Sequence, residues 1–228
     1  TRALSSAASD VYKRQEYGGS LENRMRFTLE CIEAIKKNIP DTVPLLVKFT
    51  PDQRVEGFRD LSEGIEMAKI LEKAGVDALH VDTGCYEEWY QAITTDYSKP
   101  GHKLDVQKAI KEVVSVPVLG DGKLFDPKLA EKVVNDGILD YVGLGHEMLA
   151  DPHWVNKVKK NQLEDITPCV GCNECLLSGF SGKHYYCAVN PTCYAEKEYA
   201  LPADTGLKRK VLIIGGGPAG MEAAITAK

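Results

Sequence analysis

Apolar residues along this chain alternate between two spacings. Ser20, an N-cap type, follows the turn at Gly18-Gly19. Met25, Leu29, Ile32 and Ile35 then recur at helical spacing, with Phe27 beside them, until Pro40 ends the run. The short apolar run VPLLVKF (43–49) reads as a buried parallel strand. Leu61, Ile65, Ala68 and Leu71 form one face of a helix over 60–74, which Gly75 stops. The same reading gives strands at 77–84, 116–122 and 141–146, and helices at 106–114, 126–137 and about 151–160.

Strand and helix thus alternate four times, and each strand is short, apolar and closed by Gly or a polar residue. That is the βα rhythm of a parallel sheet. Units of roughly 25–40 residues suit a (β/α)8 barrel, which takes about 250 residues in full. The expected fold is α/β: strands 5–8 of such a barrel, in an internal fragment of a longer protein. Residues 1–15, TRALSSAASDVYKRQ, fit no period and are set aside as a leader or artefact. After a polar stretch at 194–209, KVLIIGGGPAGMEAAITAK reads as strand, Gly-rich turn and helix, the start of a second α/β domain. The expected boundaries are 1–15 leader, 16–162 partial barrel, 163–207 cysteine segment and linker, and 208–228 the second domain.

The net charge of −5 argues against nucleic acid or an anionic membrane as the main partner. No run of about 18 apolar residues is present, so no membrane span is expected. Seven cysteines without a secretory signal point to a reducing, cytoplasmic setting and to metal or cluster binding rather than disulfides.

Cys169, Cys172, Cys175 and Cys187 form C-x2-C-x2-C-x11-C, with Cys193 as an alternative fourth ligand. Zinc sites usually use two separated CxxC pairs. Three cysteines at two-residue gaps with a distant fourth resemble a [4Fe–4S] loop, and structural zinc is the competing reading. Gly215, Gly217 and Gly220 form GxGxxG between an apolar run and a helix, the context of a dinucleotide-binding turn. Gly120-Asp121-Gly122-Lys123 and Gly143-Leu144-Gly145-His146 would follow barrel strands 7 and 8, where phosphates bind in barrels. Lys48 ends the first strand and would point at the barrel mouth, where a cation can face a flavin ring. TGCYEEWYQAI (83–93) offers Tyr86 and Glu88 as candidate proton donors, with aromatic packing as the plain alternative. His80 reads as a core histidine, and His102 and His153 as surface residues.

The order EYGGSLENRMRF, barrel strands, ADP after the last strand, CVGCNEC…CAVNP and then VLIIGGGPAG resembles the multidomain branch of the old yellow enzyme family. That branch includes dienoyl-CoA and enoate reductases, bile-acid-inducible oxidoreductases and trimethylamine dehydrogenase. The resemblance implies FMN in the barrel, a [4Fe–4S] cluster beside it, and FAD in the C-terminal region. It implies an NAD(P)H-dependent oxidoreductase in which electrons pass from FAD through the cluster to FMN and reduce an activated C=C bond of a small unsaturated substrate. An amine dehydrogenase of the same architecture is the alternative, with Tyr86, Trp89 and Tyr90 as its aromatic bowl. By position Lys48 matches a basic residue near the FMN ring. Gly122 and Lys123 match the strand-7 phosphate loop, and Gly145 and His146 match a Gly-Arg pair. His for Arg there weakens the charge on a phosphate at neutral pH. The four cysteines match the cluster ligands. The family tyrosine acid falls before residue 1, and with half a barrel and one βα of the second domain the fragment alone is expected to be inactive.

Overall fold

The structure, a computed structural model, describes residues 16–199, 206 and 209–227. The leader at 1–15 and the expected boundary at 207/208 lie outside them. The chain divides into two compact units, one ending at Tyr194 and one beginning at Ala195.

In the first unit, α1 (Leu21–Asn38) starts where Ser20 accepts a hydrogen bond from the Asn23 N–H at 3.3 Å. It leads to β1 (Leu46–Asp52), α2 (Leu61–Lys73) and β2 (Ala78–Thr83). Asp60 caps α2 through the Glu63 N–H, and Gly75 turns the chain away at φ +83°. A short turn α3 (Trp89–Ala92) and α4 (Leu104–Lys111) precede β3 (Val118–Gly120). Asp126 caps α5 (Pro127–Asn135), with Pro127 in its first turn. Then come β4 (Tyr141–Val142), α6 (His146–Ala150), α7 (Trp154–Lys159) and α8 (Glu174–Phe180).

The four strands form one parallel sheet in the order β1-β2-β3-β4. Lys48 pairs with His80, His80 with Leu119, and Leu119 with Tyr141. Met25 and Ile32 of α1, Leu71 of α2, Ile110 of α4 and Val133 of α5 bury against Leu79 and Val81 of β2 and Val118 of β3. The helical periodicity of the sequence therefore marks the faces that cover the sheet. No helix among the described residues is long and apolar enough to cross a membrane.

Three expectations need correction. β1 is not a buried strand: it starts at Leu46, three residues later than expected, and Leu46 is 51% exposed. It pairs only with β2 in this sheet, and it carries Pro51 beside an irregularity in its pairing, where a missing N–H costs no ladder bond. β4 holds only two ladder residues, because Gly143 begins the loop into α6. Residues 210–214 form no strand: Leu212 and Ile214 are exposed, and no described segment pairs with them.

Gly64 of α2 lies against β1, and a Cβ there would sit 2.3 Å from the Pro51 carbonyl oxygen and 2.4 Å from its Cβ. Alanine gains about 1 kcal/mol of helix propensity, but that contact forces strand and helix apart at about 1–3 kcal/mol. Gly64→Ala is therefore expected to lower the urea midpoint. An unchanged or raised midpoint would show that the strand yields freely.

Candidate functional site

The C-terminal ends of the strands open on a cavity of about 470 Å3. Lys48 of β1, Asp82 of β2, the loop 121–123 after β3 and the loop 143–146 after β4 line one side. Cys169 and Cys175 line the other.

A chain of alternating charges runs across the strand ends. Lys103 is 3% exposed, and its Nζ lies 2.6 Å from Asp82 Oδ1 and 2.7 Å from Asp121 Oδ1. Asp82 Oδ2 pairs with Lys48 Nζ at 2.9 Å, and Asp121 Oδ2 with His80 Nε2 at 3.0 Å. Burial would push the Asp121 carboxyl up, but His80 and the Lys103 charge overcome it and hold the group far below the usual carboxylate range. Burial likewise works against the Lys48 ammonium, and Asp82 outweighs it and raises its pKa. Gln107 Nε2 donates to the carbonyls of Val81 and Asp121, tying β2 to the end of β3.

The two glycine loops meet beside this chain. Gly122 is at φ +114°, and a Cβ there would lie 3.0 Å from Lys103 Cγ, so the loop rests on the buried lysine. Gly145 has open space where a side chain would stand. His146 follows it, and burial lowers its pKa, which leaves it neutral at pH 7. The Lys123 ammonium bonds to three backbone carbonyls, of Asp96 at 2.7 Å, Ser98 at 2.9 Å and Thr95 at 3.5 Å.

The cysteine segment is pinned to the residues that follow this loop. The buried Asp151 accepts from the Thr167 N–H at 2.9 Å and from Lys157 Nζ at 2.6 Å. The buried Glu147 accepts from the Cys169 N–H at 3.1 Å, and Asn190 Nδ2 donates to the Leu149 carbonyl at 2.8 Å. All seven cysteines are free thiols. Burial raises the pKa of Cys169 and Cys175. Among the described residues no three Cys, His, Asp or Glu side chains converge on one ion-sized point. Cys193 is buried.

Tyr86 and Glu88 do not line the cavity, and neither do Trp89 and Tyr90. Tyr86 is 81% exposed, and its ring packs on Trp89, which meets Phe180 of α8 edge-on at 5.5 Å. The aromatic loop thus packs on the cysteine segment. His80 is half-buried on Asp121. His102, expected at the surface, is half-buried instead, with Nε2 3.1 Å from Thr94 Oγ1.

In the second unit, Gly215 takes φ +115° and α9 (Pro218–Ala227) follows at once. A Cβ on Gly220 would fall 2.0 Å from the Gly215 carbonyl oxygen, so only glycine lets the helix close on the turn. Gly217 has nothing within 4 Å of its Cβ position.

Residues 11–165 match the NADH:flavin oxidoreductase / NADH oxidase family. The chain belongs to that family. It is 40% identical over 214 residues to an NADH oxidase of Thermoanaerobacter brockii, covering 93% of this chain and 33% of the relative. It is 40% identical over 230 aligned positions to a cinnamate reductase of Clostridium sporogenes, covering 93% and 34%. A 2-naphthoyl-CoA reductase complex superposes with a TM-score of 0.84 at 34% identity, covering 92% of this chain and 32% of that one. The chain spans about a third of the length of these relatives.

Sequence reasoning missed Lys103, the centre of the chain of charges. Its role emerges only from the structure, where α4 starts at Leu104 rather than the expected 106 and Lys103 becomes its N-cap, a place where the helix dipole opposes a cation and other interactions have to hold it. Glu147 was equally silent, because its partner is the Cys169 N–H, distant in sequence, whereas Asp151 was noted only as part of the ADP motif and not for its bonds to Lys157 and Thr167.

Lys103→Met removes the shared cation between two half-buried carboxylates, each left with its second partner, Lys48 or His80, and is expected to cost about 1–3 kcal/mol by chemical denaturation. Asp121 gives the pH dependence. Its pKa is depressed on folding, so its contribution is present above the unfolded value of about 3.9 and is lost as pH falls below it. Asp121→Asn should flatten the acid limb of the stability–pH curve. A limb of unchanged slope would show that the pair carries no linkage.

Proposed function

We propose that this chain supplies strands 5–8 of a barrel that binds FMN, an adjoining [4Fe–4S] loop, and the first turn of a domain that binds FAD or NAD(P)H. The parent enzyme reduces an activated C=C bond with NAD(P)H in the cytoplasm. One observation carries the reading: the strand-end loops and two of the clustered cysteines line the same cavity.

The residues fit the groups. Lys48, expected to end its strand, is instead the third residue of β1, which runs on to Asp52; its half-exposed side chain lines the cavity and pairs with Asp82. It can place positive charge against the pyrimidine edge of a flavin. The backbone N–H groups around Gly122 and Gly145 suit a phosphate, and His146 can donate a ring N–H to it. Cys169, Cys172, Cys175 and Cys187 provide an all-sulfur donor set on one segment, two of them lining the cavity, and soft thiolates are the donors an iron–sulfur cluster uses. When bound, flavin and cluster would supply two-electron and one-electron chemistry respectively. Gly215, Gly217 and Gly220 leave a helix N-terminus open to a pyrophosphate. Amine oxidation lacks support from the cavity, since the aromatic residues proposed for its bowl do not line it.

Anaerobic purification of the full-length protein tests this. Bound FMN and about four iron atoms per chain are expected, together with NADH-dependent saturation of a cinnamate-type probe. Colourless protein with stoichiometric zinc refutes the reading. Oxidation of dimethylamine with no turnover of the enoate moves the protein to the amine class.

A further inference from the structure

Lys123 sits where the family resemblance puts a phosphate ligand, yet its ammonium is already spoken for. An ammonium has three protons, and here three carbonyls surround it: Asp96 at 2.7 Å, Ser98 at 2.9 Å and Thr95 at 3.5 Å. The Asp96 carboxylate adds a fourth acceptor at 3.8 Å, and the side chain is only 13% exposed. A phosphate at this nitrogen would have to displace a carbonyl.

The loop that Lys123 holds, residues 94–98, touches the cysteine segment on its other side. Asn173 Nδ2 donates to the Thr94 carbonyl at 3.1 Å. Gly171, at φ +66°, lies so close that a Cβ there would be 2.6 Å from the Asp96 nitrogen. Gly171 and Asn173 flank Cys172, inside the run that carries three of the four clustered thiols. The loop is itself a tight turn, with the Ser98 N–H bonded to the Thr95 carbonyl at 3.1 Å and the Thr95 N–H to Ser98 Oγ at 3.0 Å. It can therefore transmit position from one side to the other.

We propose that Lys123 is a positioning residue: it clasps the 94–98 loop against the C-x2-C-x2-C run and so fixes the cluster segment at the flavin cavity, and it does not bind phosphate. The flavin phosphate is then left to the backbone N–H groups of the two glycine loops. This inference rests on the flavin–cluster reading above. It also gives the left-handed Lys123 backbone a role, since the residue keeps φ +59° without being glycine.

The test compares Lys123→Met, Lys123→Gln and Lys123→Arg in the full-length holoprotein, with two readouts. FMN and riboflavin differ only by the phosphate, so the ratio of their dissociation constants reports phosphate contacts. Loss of the cluster's visible absorbance in the presence of an iron chelator reports how firmly the cysteine segment is held. K123M and K123Q are expected to keep the FMN/riboflavin ratio within about twofold and to lose the cluster about tenfold faster, the scale of outer-shell losses at metal sites. K123R should restore slow loss, because a guanidinium can donate to the same carbonyls. A tenfold rise in the ratio overturns the proposal, as does a rate of cluster loss unchanged in both neutral variants. Wild-type protein that binds FMN but no cluster overturns the clasp and leaves the flavin assignment standing; wild-type protein that binds neither overturns both.

Discussion

The buried ammonium of Lys103 is the interaction on which the strand ends depend. Burying a charge costs several kcal/mol unless its partners are close and well placed. Lys103 meets that requirement with two carboxylates, Asp82 and Asp121, from adjacent strand ends. Each carboxylate has a second cationic or donating partner, Lys48 or His80, so neither faces the cavity unneutralised. The ends of β1, β2 and β3 are thereby fixed to one another by charge as well as by ladder bonds. β3 and β4 have only three and two residues, so backbone pairing alone would hold their ends weakly.

The helices were legible because their determinants are local. Ser20, Asp60 and Asp126 cap the three helices whose starts were expected near them, and the apolar residues at helical spacing include the buried ones. The strands were legible as parallel from their short apolar runs, but their lengths were not. Strand length depends on which neighbour is present, and that is a non-local fact. VLII at 211–214 has strong strand composition and no ladder, since a strand needs a partner and composition does not provide one.

The site divides along the same line. Glycine loops and clustered cysteines can be read from spacing, and the cavity brings Lys48, Gly122, Gly145, His146, Cys169 and Cys175 together, although Lys48 lies within β1 and not at its end. The aromatic loop could not be read. Tyr86, Trp89 and Glu88 have the composition of a substrate wall, but the aromatic rings spend their area on each other and on Phe180. Aromatic residues bury large area wherever a neighbour offers it, so composition alone does not separate a wall from a packing cluster.

The segment 147–151 explains why the cavity and the cysteine lobe occur together. It begins one residue after His146, which lines the cavity, and it supplies Glu147, Leu149 and Asp151 to hold Cys169, Asn190 and Thr167. Both ends of the cysteine loop are thus fastened to one short piece of chain. Glu147 is 2% exposed, with one oxygen on the Cys169 amide and the other unpartnered. Burial raises its pKa, so the site bears a cost for keeping a carboxyl there. An apolar residue would avoid that cost but could not accept the Cys169 N–H, and the first thiol of the run would lose its fixed distance from the cavity. The polar residues after β4 therefore trade stability for position, as expected where a segment has to be held at a set place beside a cavity.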